Sequence, residues 1–306
     1  MSSQPRAPSR GKLLAVLGAA LLAISTSGPL IVACGMHAPA LGFWRVLIAG
    51  SLQMLLATGM ERGALMAIRP RDLLLAFASG SLLGLHYFTW ILSLDYTSVA
   101  SSTVLATSNP LWVALGAWAI LREKTSALTW AAIAIGIAGA VLLALADAAP
   151  SGTDPWSTRA LFGDGLAILG ALTSSATLLI ARALRVRIPV ATYVGITSLS
   201  AAPVLLLAGL LMGSSFVPAD GRQAGLLLAV ALVPHLVGNT ALNWALGWLP
   251  APRVALVILG EPVGATLLAW AFLQQTPRPL TFAGAALVMT AVALSLRPAA
   301  PRSPAG

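Results

Sequence analysis

Two stretches of this chain share one pattern, and this internal duplication constrains the fold more than any other feature. The first stretch contains Asn109-Pro110 and the second contains Glu261-Pro262, so the two prolines are 152 residues apart. The same offset superposes four further pairs of identical residues: Leu94 on Leu246, Leu128 on Leu280, Thr129 on Thr281 and Ala131 on Ala283. Two copies of one unit inside a bilayer are typical of transporters whose substrate site lies between the copies.

The composition places both copies in lipid. The chain is 58% hydrophobic and only 9% charged, whereas a soluble domain carries roughly 25% charged residues. The net charge of +9 could indicate nucleic acid, but the basic residues form short clusters between apolar runs, so no nucleic-acid partner is predicted. Cys34 is the single cysteine, which excludes a disulfide within the chain and a CxxC motif, and no metal or cofactor is predicted.

Ten apolar runs are long enough to cross a bilayer, which requires about 20 residues in a helix. We therefore predict an all-α integral membrane protein of ten transmembrane helices. The predicted spans one to ten are 13–34, 40–60, 72–94, 98–121, 127–146, 160–181, 189–213, 223–247, 252–273 and 279–297.

The basic residues orient these spans. With a cytoplasmic N-terminus, fourteen of the 18 Lys and Arg residues fall in cytoplasmic segments and three in outer segments, as the positive-inside rule requires. We expect a multi-pass protein of the cell (inner) membrane with both termini cytoplasmic. The predicted units are a tail (1–11), a first repeat (12–146), an extracytoplasmic linker (147–159), a second repeat (160–297) and a tail (298–306).

Five spans per copy is an odd number, so the second copy must enter the membrane from the opposite side. The charges agree with this inversion. Arg122-Glu123-Lys124 closes span four in the cytoplasm, whereas the matching Gln274-Gln275-Thr276 closes span nine outside and has no basic residue. The fold expected is two inverted five-helix repeats.

Span one has a second interpretation. Arg10-Gly11-Lys12 before an apolar run is also typical of a signal peptide, with Ala23-Ile24-Ser25 as a cleavage site. Removing the span would leave nine helices and span six without a counterpart, so we favour a membrane span.

Glu261 is the first candidate for the substrate site. It lies nine residues after Pro252, roughly 14 Å into the membrane at 1.5 Å per residue. An acidic group at that depth costs about 2.5–3.5 kcal/mol on the insertion scale. It could bind a substrate amine or a proton, or it could be a neutral group that fixes helices together. Asn109, its counterpart in the first copy, suits the wall of a polar site.

Pro110 and Pro262 are predicted hinges. Each lacks an N–H, so the carbonyls of Ala106 and Ile258 lose their helical partner near the middle of the membrane. Such carbonyls need a partner from protein, water or substrate. Static kinks are the alternative, but the match between copies favours a paired hinge or binding feature.

Further polar side chains share helical faces in the spans. His86 and Trp90 are four residues apart on span three, and Asn239 and Asn243 repeat that spacing on span eight. Polar stripes on lipid-embedded helices point to the bundle interior. Arg45 on span two could attract a substrate carboxylate or could extend to the outer headgroups. All five are predicted substrate contacts.

The order of these motifs resembles a known family. The run 85–100, Asn109-Pro110 and Arg122-Glu123-Lys124 resemble the third and fourth helices of EamA-type members of the drug/metabolite transporter superfamily, and Phe43-Trp44-Arg45 resembles the second. Gly238-Asn239, Asn243 and Glu261-Pro262-Val263 are similar to the second-copy pattern, whereas Gln275 stands where that copy often ends in Glu. The resemblance covers roughly residues 12–297 and implies a central cavity and export of amino acids, other metabolites or drugs.

The predicted function is a secondary transporter that exports amino acids or amphiphilic drug-like solutes by alternating access. Spans one to four and six to nine are expected to line the cavity, with spans five and ten outside it. Proton antiport and facilitated passage stay open, and a flippase for a lipid-linked substrate is the alternative function. No enzyme is predicted, because the sequence contains no HExxH, GxSxG or GxxxxGK[ST] motif. The expected partners are a small-molecule substrate and the lipid bilayer; the sequence leaves the oligomeric state unknown.

Overall fold

The computed structural model describes residues 8–147, 157–273 and 277–297, and these residues are helices joined by short turns. Eight of the described helices are long and apolar enough to cross a membrane. The linker core at 148–156, the outer segment Gln274-Gln275-Thr276 and both tails beyond residues 8 and 297 lie outside the described residues. The predicted unit boundaries therefore stay predictions.

All ten predicted spans are helical, and four of them are broken or irregular. Span four is two short helices, and span ten is a 17-residue helix. The observed bounds are Arg10–Ser25 with Ser27–Cys34 (span one), Ala38–Met60 (two), Pro70–Ser93 (three), Val99–Ala106 with Asn109–Ala119 (four), Ala127–Asp147 (five), Thr158–Arg185 (six), Val190–Leu211 (seven), Gly221–Val230, Ala231–Asn239 and Thr240–Leu246 (eight), Ala251–Ile258 with Glu261–Leu273 (nine) and Pro279–Ser295 (ten), with a short helix Arg62–Met66 after span two.

Local chemistry sets where the helices begin. Five spans start at a side chain that accepts a hydrogen bond from a first-turn N–H, and four others have a proline in their first turn, where no N–H is needed. The capping residues are Ser9, Ser98, Ser126, Ser157 and Asp220, and the first-turn prolines are Pro39, Pro70, Pro252 and Pro279.

Six of the spans form two groups of three, and the offset between the two copies relates one group to the other. Spans three, four and six pack together, and so do spans one, eight and nine. Under the 152-residue offset, spans three and four of the first copy correspond to spans eight and nine of the second, and span one corresponds to span six. Spans two and seven pack against each other as a pair, as do spans five and ten. The inverted duplication is thus visible in the packing, with an interface between the two groups.

Close approach of glycines joins spans from different copies. A Cβ on Gly84 would lie 2.8 Å from the Val204 Cβ, so spans three and seven pack closely at Gly80-x-x-x-Gly84. On span five, a Cβ on Gly139 would lie 2.8 Å from the Gly284 carbonyl oxygen of span ten. A backbone contact at that distance leaves no room for a side chain.

We predict that Gly139→Ala destabilises the protein. The added methyl group forces spans five and ten apart, which outweighs the gain in helix propensity of about 1 kcal/mol. Gly165→Ala is the matched control, because no atom lies within 4 Å of its Cβ position. Thermal unfolding in detergent should show a lower midpoint for the first variant and an unchanged or higher one for the second. Equal midpoints would contradict the contact.

Candidate functional site

A cavity of about 330 Å³ lies between the two groups of helices. Its walls come from spans one to four and six to nine, and the described residues of spans five and ten contribute nothing to them. The structure thus brings together residues that are up to 241 positions apart in the chain, between Ile24 and Ala265. All seven predicted substrate contacts line this cavity: Arg45, His86, Trp90, Asn109, Asn239, Asn243 and Glu261.

The two helix breaks lie at the cavity wall. Span four stops at Ala106 and resumes at Asn109, and span nine stops at Ile258 and resumes at Glu261. Each break comes just before its proline, which occupies the second position of the new helix. The carbonyls that lose a helical partner belong to Ala106 and Ile258, and both residues line the cavity. Pro262 also lines it, whereas Pro110 is buried behind it.

His86 and Trp90 form one aromatic face on span three. Their rings stack with an interplanar angle of 10° and centroids 6.5 Å apart. The His86 Nδ1 lies 2.9 Å from the Gly170 carbonyl oxygen of span six. A carbonyl can only accept, so Nδ1 carries the proton and Nε2 is the acceptor of the neutral ring. The imidazole orientation is therefore fixed by span six.

Arg45 is directed into the cavity instead of toward the outer headgroups. Its Nη1 donates to the Ser27 hydroxyl at 3.2 Å, and its guanidinium lies over the Tyr87 ring, 5.2 Å from the centroid. Its Nε is buried without a hydrogen-bond partner among the described residues. One guanidinium edge thus has unused hydrogen-bonding capacity beside the cavity.

Glu261 is the acidic residue in the cavity wall. Its carboxyl group has no hydrogen bond or salt bridge to another described residue. The salt bridges among the described residues are instead Arg182–Glu123 and Arg187–Asp72. The cavity wall therefore holds one basic and one acidic side chain that are not paired with each other.

The asparagines of the cavity wall differ in the number and length of their hydrogen bonds to other residues. Asn109 donates weakly to the Ser174 hydroxyl of span six at 3.3 Å. Asn243 donates to both oxygens of Asn239, at 2.9 Å to the backbone carbonyl and 3.1 Å to the side chain. The amides of spans four and eight thus face the cavity from opposite groups of helices.

Several lining residues were not predicted from the sequence. Tyr87 supports Arg45, Ser174 contacts Asn109, and Tyr193 lines the cavity while its hydroxyl bonds Ser79 at 2.7 Å. Ser27 and Thr177 also line it. A buried histidine, His235, lies behind the wall within the π-helical segment Ala231–Asn239 and contacts the Ser198 hydroxyl at 3.0 Å. Tyr87 and Tyr193 were not singled out by the sequence, because one tyrosine in a span is equally compatible with packing.

Arginines of span six close one end of the cavity. Arg182 pairs with Glu123 at 2.9 Å and donates to the Leu246 carbonyl at 2.9 Å, and Arg185 donates to the Asn243 carbonyl at 3.0 Å. Leu246 and Asn243 belong to span eight, so these bonds cross between the two groups of helices. Among the described residues, the extensive contacts between the groups lie at this end.

Both copies of the duplicated unit match one known protein family. The EamA-like transporter family matches residues 9–145 and again residues 161–297, and the two matched segments begin 152 residues apart. This chain belongs to that family of multi-pass membrane transporters.

Two curated relatives and one solved structure are similar over almost the whole chain. The pseudopaline exporters CntI of Pseudomonas aeruginosa strains UCBPP-PA14 and PAO1 are each 25% identical over 286 residues, which are 93% of this chain and 95% of theirs. A crystal structure at 20% identity has a TM-score of 0.80 and covers 94% of this chain and 97% of its own. At that identity the structure supports the fold alone.

We predict that water reaches the cavity. Thr107 lines it, whereas Leu207 on span seven is 59% exposed outside the bundle, where lipid lies. In a Cys34→Ala background, Thr107→Cys should react with a charged, membrane-impermeant thiol reagent and Leu207→Cys should not, because thiolates form in water and not in lipid. Labelling of both or neither would contradict a wet cavity.

Proposed function

We propose that this protein is a secondary transporter that exports small zwitterionic metabolites, of the amino-acid class, across the cell membrane. The observation that carries the proposal is that one basic and one acidic side chain, Arg45 and Glu261, line the same cavity without forming a salt bridge to each other. A substrate with a carboxylate and an ammonium group would satisfy both at once. The export direction is supported by the relatives that are named exporters.

The remaining wall fits such a substrate. The stacked rings of His86 and Trp90 offer a flat surface for an apolar or aromatic side chain. The His86 Nε2 and the amides of Asn109 and Asn239 supply orienting hydrogen bonds. A mainly apolar wall with a few convergent polar groups is the usual form of a small-molecule site. A volume of about 330 Å³ matches a small metabolite better than a lipid-linked substrate.

Alternating access is supported by the bonds that close the central cavity at one end. The bonds from Arg182 and Arg185 to span eight hold the two groups of helices together at the end where span six finishes. The distribution of basic residues supports a cytoplasmic location for that end and for both termini. The described conformation then faces outward, and release of these bonds while the other end closes would give the inward-facing state.

We predict that Glu261→Gln abolishes most counterflow. The substitution keeps the size of the side chain but removes the charge that would bind the ammonium group. A hydrogen bond to a charged group contributes about 1.5–3 kcal/mol, so uptake of labelled amino acid into proteoliposomes should fall about tenfold or more. Glu261→Asp should retain part of the activity.

Asp95→Asn is the control for this experiment, because the Asp95 side chain is exposed and only its backbone carbonyl bonds Arg159. Unchanged counterflow and unchanged pH dependence in Glu261→Gln would remove this residue from the mechanism. Movement of labelled lipid without counterflow of any solute would favour the flippase instead.

We also predict that the double change Arg182→Gln and Arg185→Gln opens the cytoplasmic end. Without these bonds the inward-facing state gains population, so Thr177→Cys in the cavity should react about tenfold faster with an impermeant reagent in inside-out vesicles. Arg187→Gln is the control, because Arg187 pairs with Asp72 and does not bond span eight. Equal rates in all variants would contradict the closure.

A further inference from the structure

A second cavity, of about 900 Å³, lies outside the central one at the same end of the bundle as Arg182. We call it the basic pocket. Its walls come from the loop between spans four and five, the start of span nine and the end of span ten, so both copies contribute. Four cationic side chains line it: Arg122, Lys124, Arg253 and Arg297.

These four cations have no partners within the described part of the chain. None of them forms a salt bridge or a side-chain hydrogen bond. Glu123 is the acidic residue in the wall, and its Oε1 is already engaged by Arg182 at 2.9 Å. Other arginines at this end behave differently, because Arg185 and Arg187 each bond a carbonyl or a carboxylate. Convergence of unpaired like charges is unfavourable unless an anion joins them.

The backbone at Arg122 is held in a conformation that glycine normally adopts. Its φ of 56° is the one positive value among non-glycine residues in the described ranges. The following N–H, of Glu123, donates to the Ala117 carbonyl at 3.0 Å, so the turn after span four is bonded back to the helix. Glycine is the usual residue at a positive φ. An arginine kept there despite the strain indicates that its side chain has a use.

The helix ends at the basic pocket add to its positive potential. Span five begins at Ala127, where the Ser126 hydroxyl accepts from the Thr129 N–H at 3.2 Å, and span nine begins at Ala251. Both N-terminal ends carry partial positive charge. Because the pocket lies where spans four, five, nine and ten reach the membrane surface, its natural anion is one located at the bilayer surface.

We propose that the basic pocket binds the phosphate group of an anionic phospholipid. Arginine binds phosphate oxygens in bidentate geometry, and Arg122, Arg253 and Arg297 approach from three segments of the chain. A bound phosphate would join the end of span four in the first copy to spans nine and ten in the second. The ligand differs from any substrate in the central cavity, so this inference does not depend on the proposed function.

The test uses the purified full chain in nanodiscs of phosphatidylcholine with increasing phosphatidylglycerol. Thermal midpoint and retained lipid adducts, detected by native mass spectrometry, are the readouts. We expect phosphatidylglycerol to raise the midpoint of the unaltered protein and to remain bound. The double variant Arg253→Gln, Arg297→Gln should lose at least half of that shift. The charge-matched control Arg62→Gln, Arg71→Gln, whose exposed side chains lie outside the pocket, should keep it.

Arg122→Gly separates ligand binding from folding, because it removes the cation and the backbone strain together. We expect its midpoint in pure phosphatidylcholine to equal or exceed that of the unaltered protein, with a smaller response to phosphatidylglycerol. Equal responses of the pocket and control variants would overturn the site in favour of a general surface charge effect. If inorganic phosphate in phosphatidylcholine nanodiscs raises the midpoint as much as phosphatidylglycerol does, the ligand of the pocket is not a lipid and the proposal is overturned.

Discussion

The need to pair every backbone N–H and C=O within lipid is the constraint on which this structure depends. It accounts for the helical spans, and it makes any interruption of a span informative, because lipid cannot replace the missing bonds. Two interruptions, in spans four and nine, come just before Pro110 and Pro262. Both adjoin the central cavity, where water or substrate can reach the carbonyls of Ala106 and Ile258. The positions of the two prolines are therefore compatible with a water-accessible cavity beside each break.

The duplication gives the two copies the same arrangement of spans, and the sequence differences between the copies give the cavity its different polar groups. At equivalent breaks the first copy has Asn109, whose amide contacts Ser174, and the second has Glu261, whose carboxylate has no partner among the described residues. Span three is one regular helix in the first copy, whereas its counterpart, span eight, contains the π-helical segment Ala231–Asn239. An inverted pair of identical copies would have a symmetric site, and these differences give the cavity its single acidic wall.

Much of the candidate site could be predicted because burial of polar groups in lipid is costly. Glu261 was identified by its depth, Asn109 as its counterpart in the first copy, and the pairs His86/Trp90 and Asn239/Asn243 by their helical spacing, and the structure brings them to one cavity. Arg45 had two positions open to it, because a long side chain near a span end can reach water on either side. Tyr87 and Tyr193 were missed, since a lone tyrosine in an apolar run is equally compatible with packing.

The sequence by itself determined the number of spans, their duplication and their opposite insertion, because these depend on hydrophobic length, on the 152-residue offset and on the positions of basic residues. Only the tertiary structure decided which spans pack together and which cations find partners. Arg182 and Arg185 bond span eight, whereas Arg122, Arg253 and Arg297 converge without partners. Both sets follow the same orientation rule, so charge counting treats them alike. Their difference arises from the distances between side chains of spans remote in the chain, which no local pattern encodes.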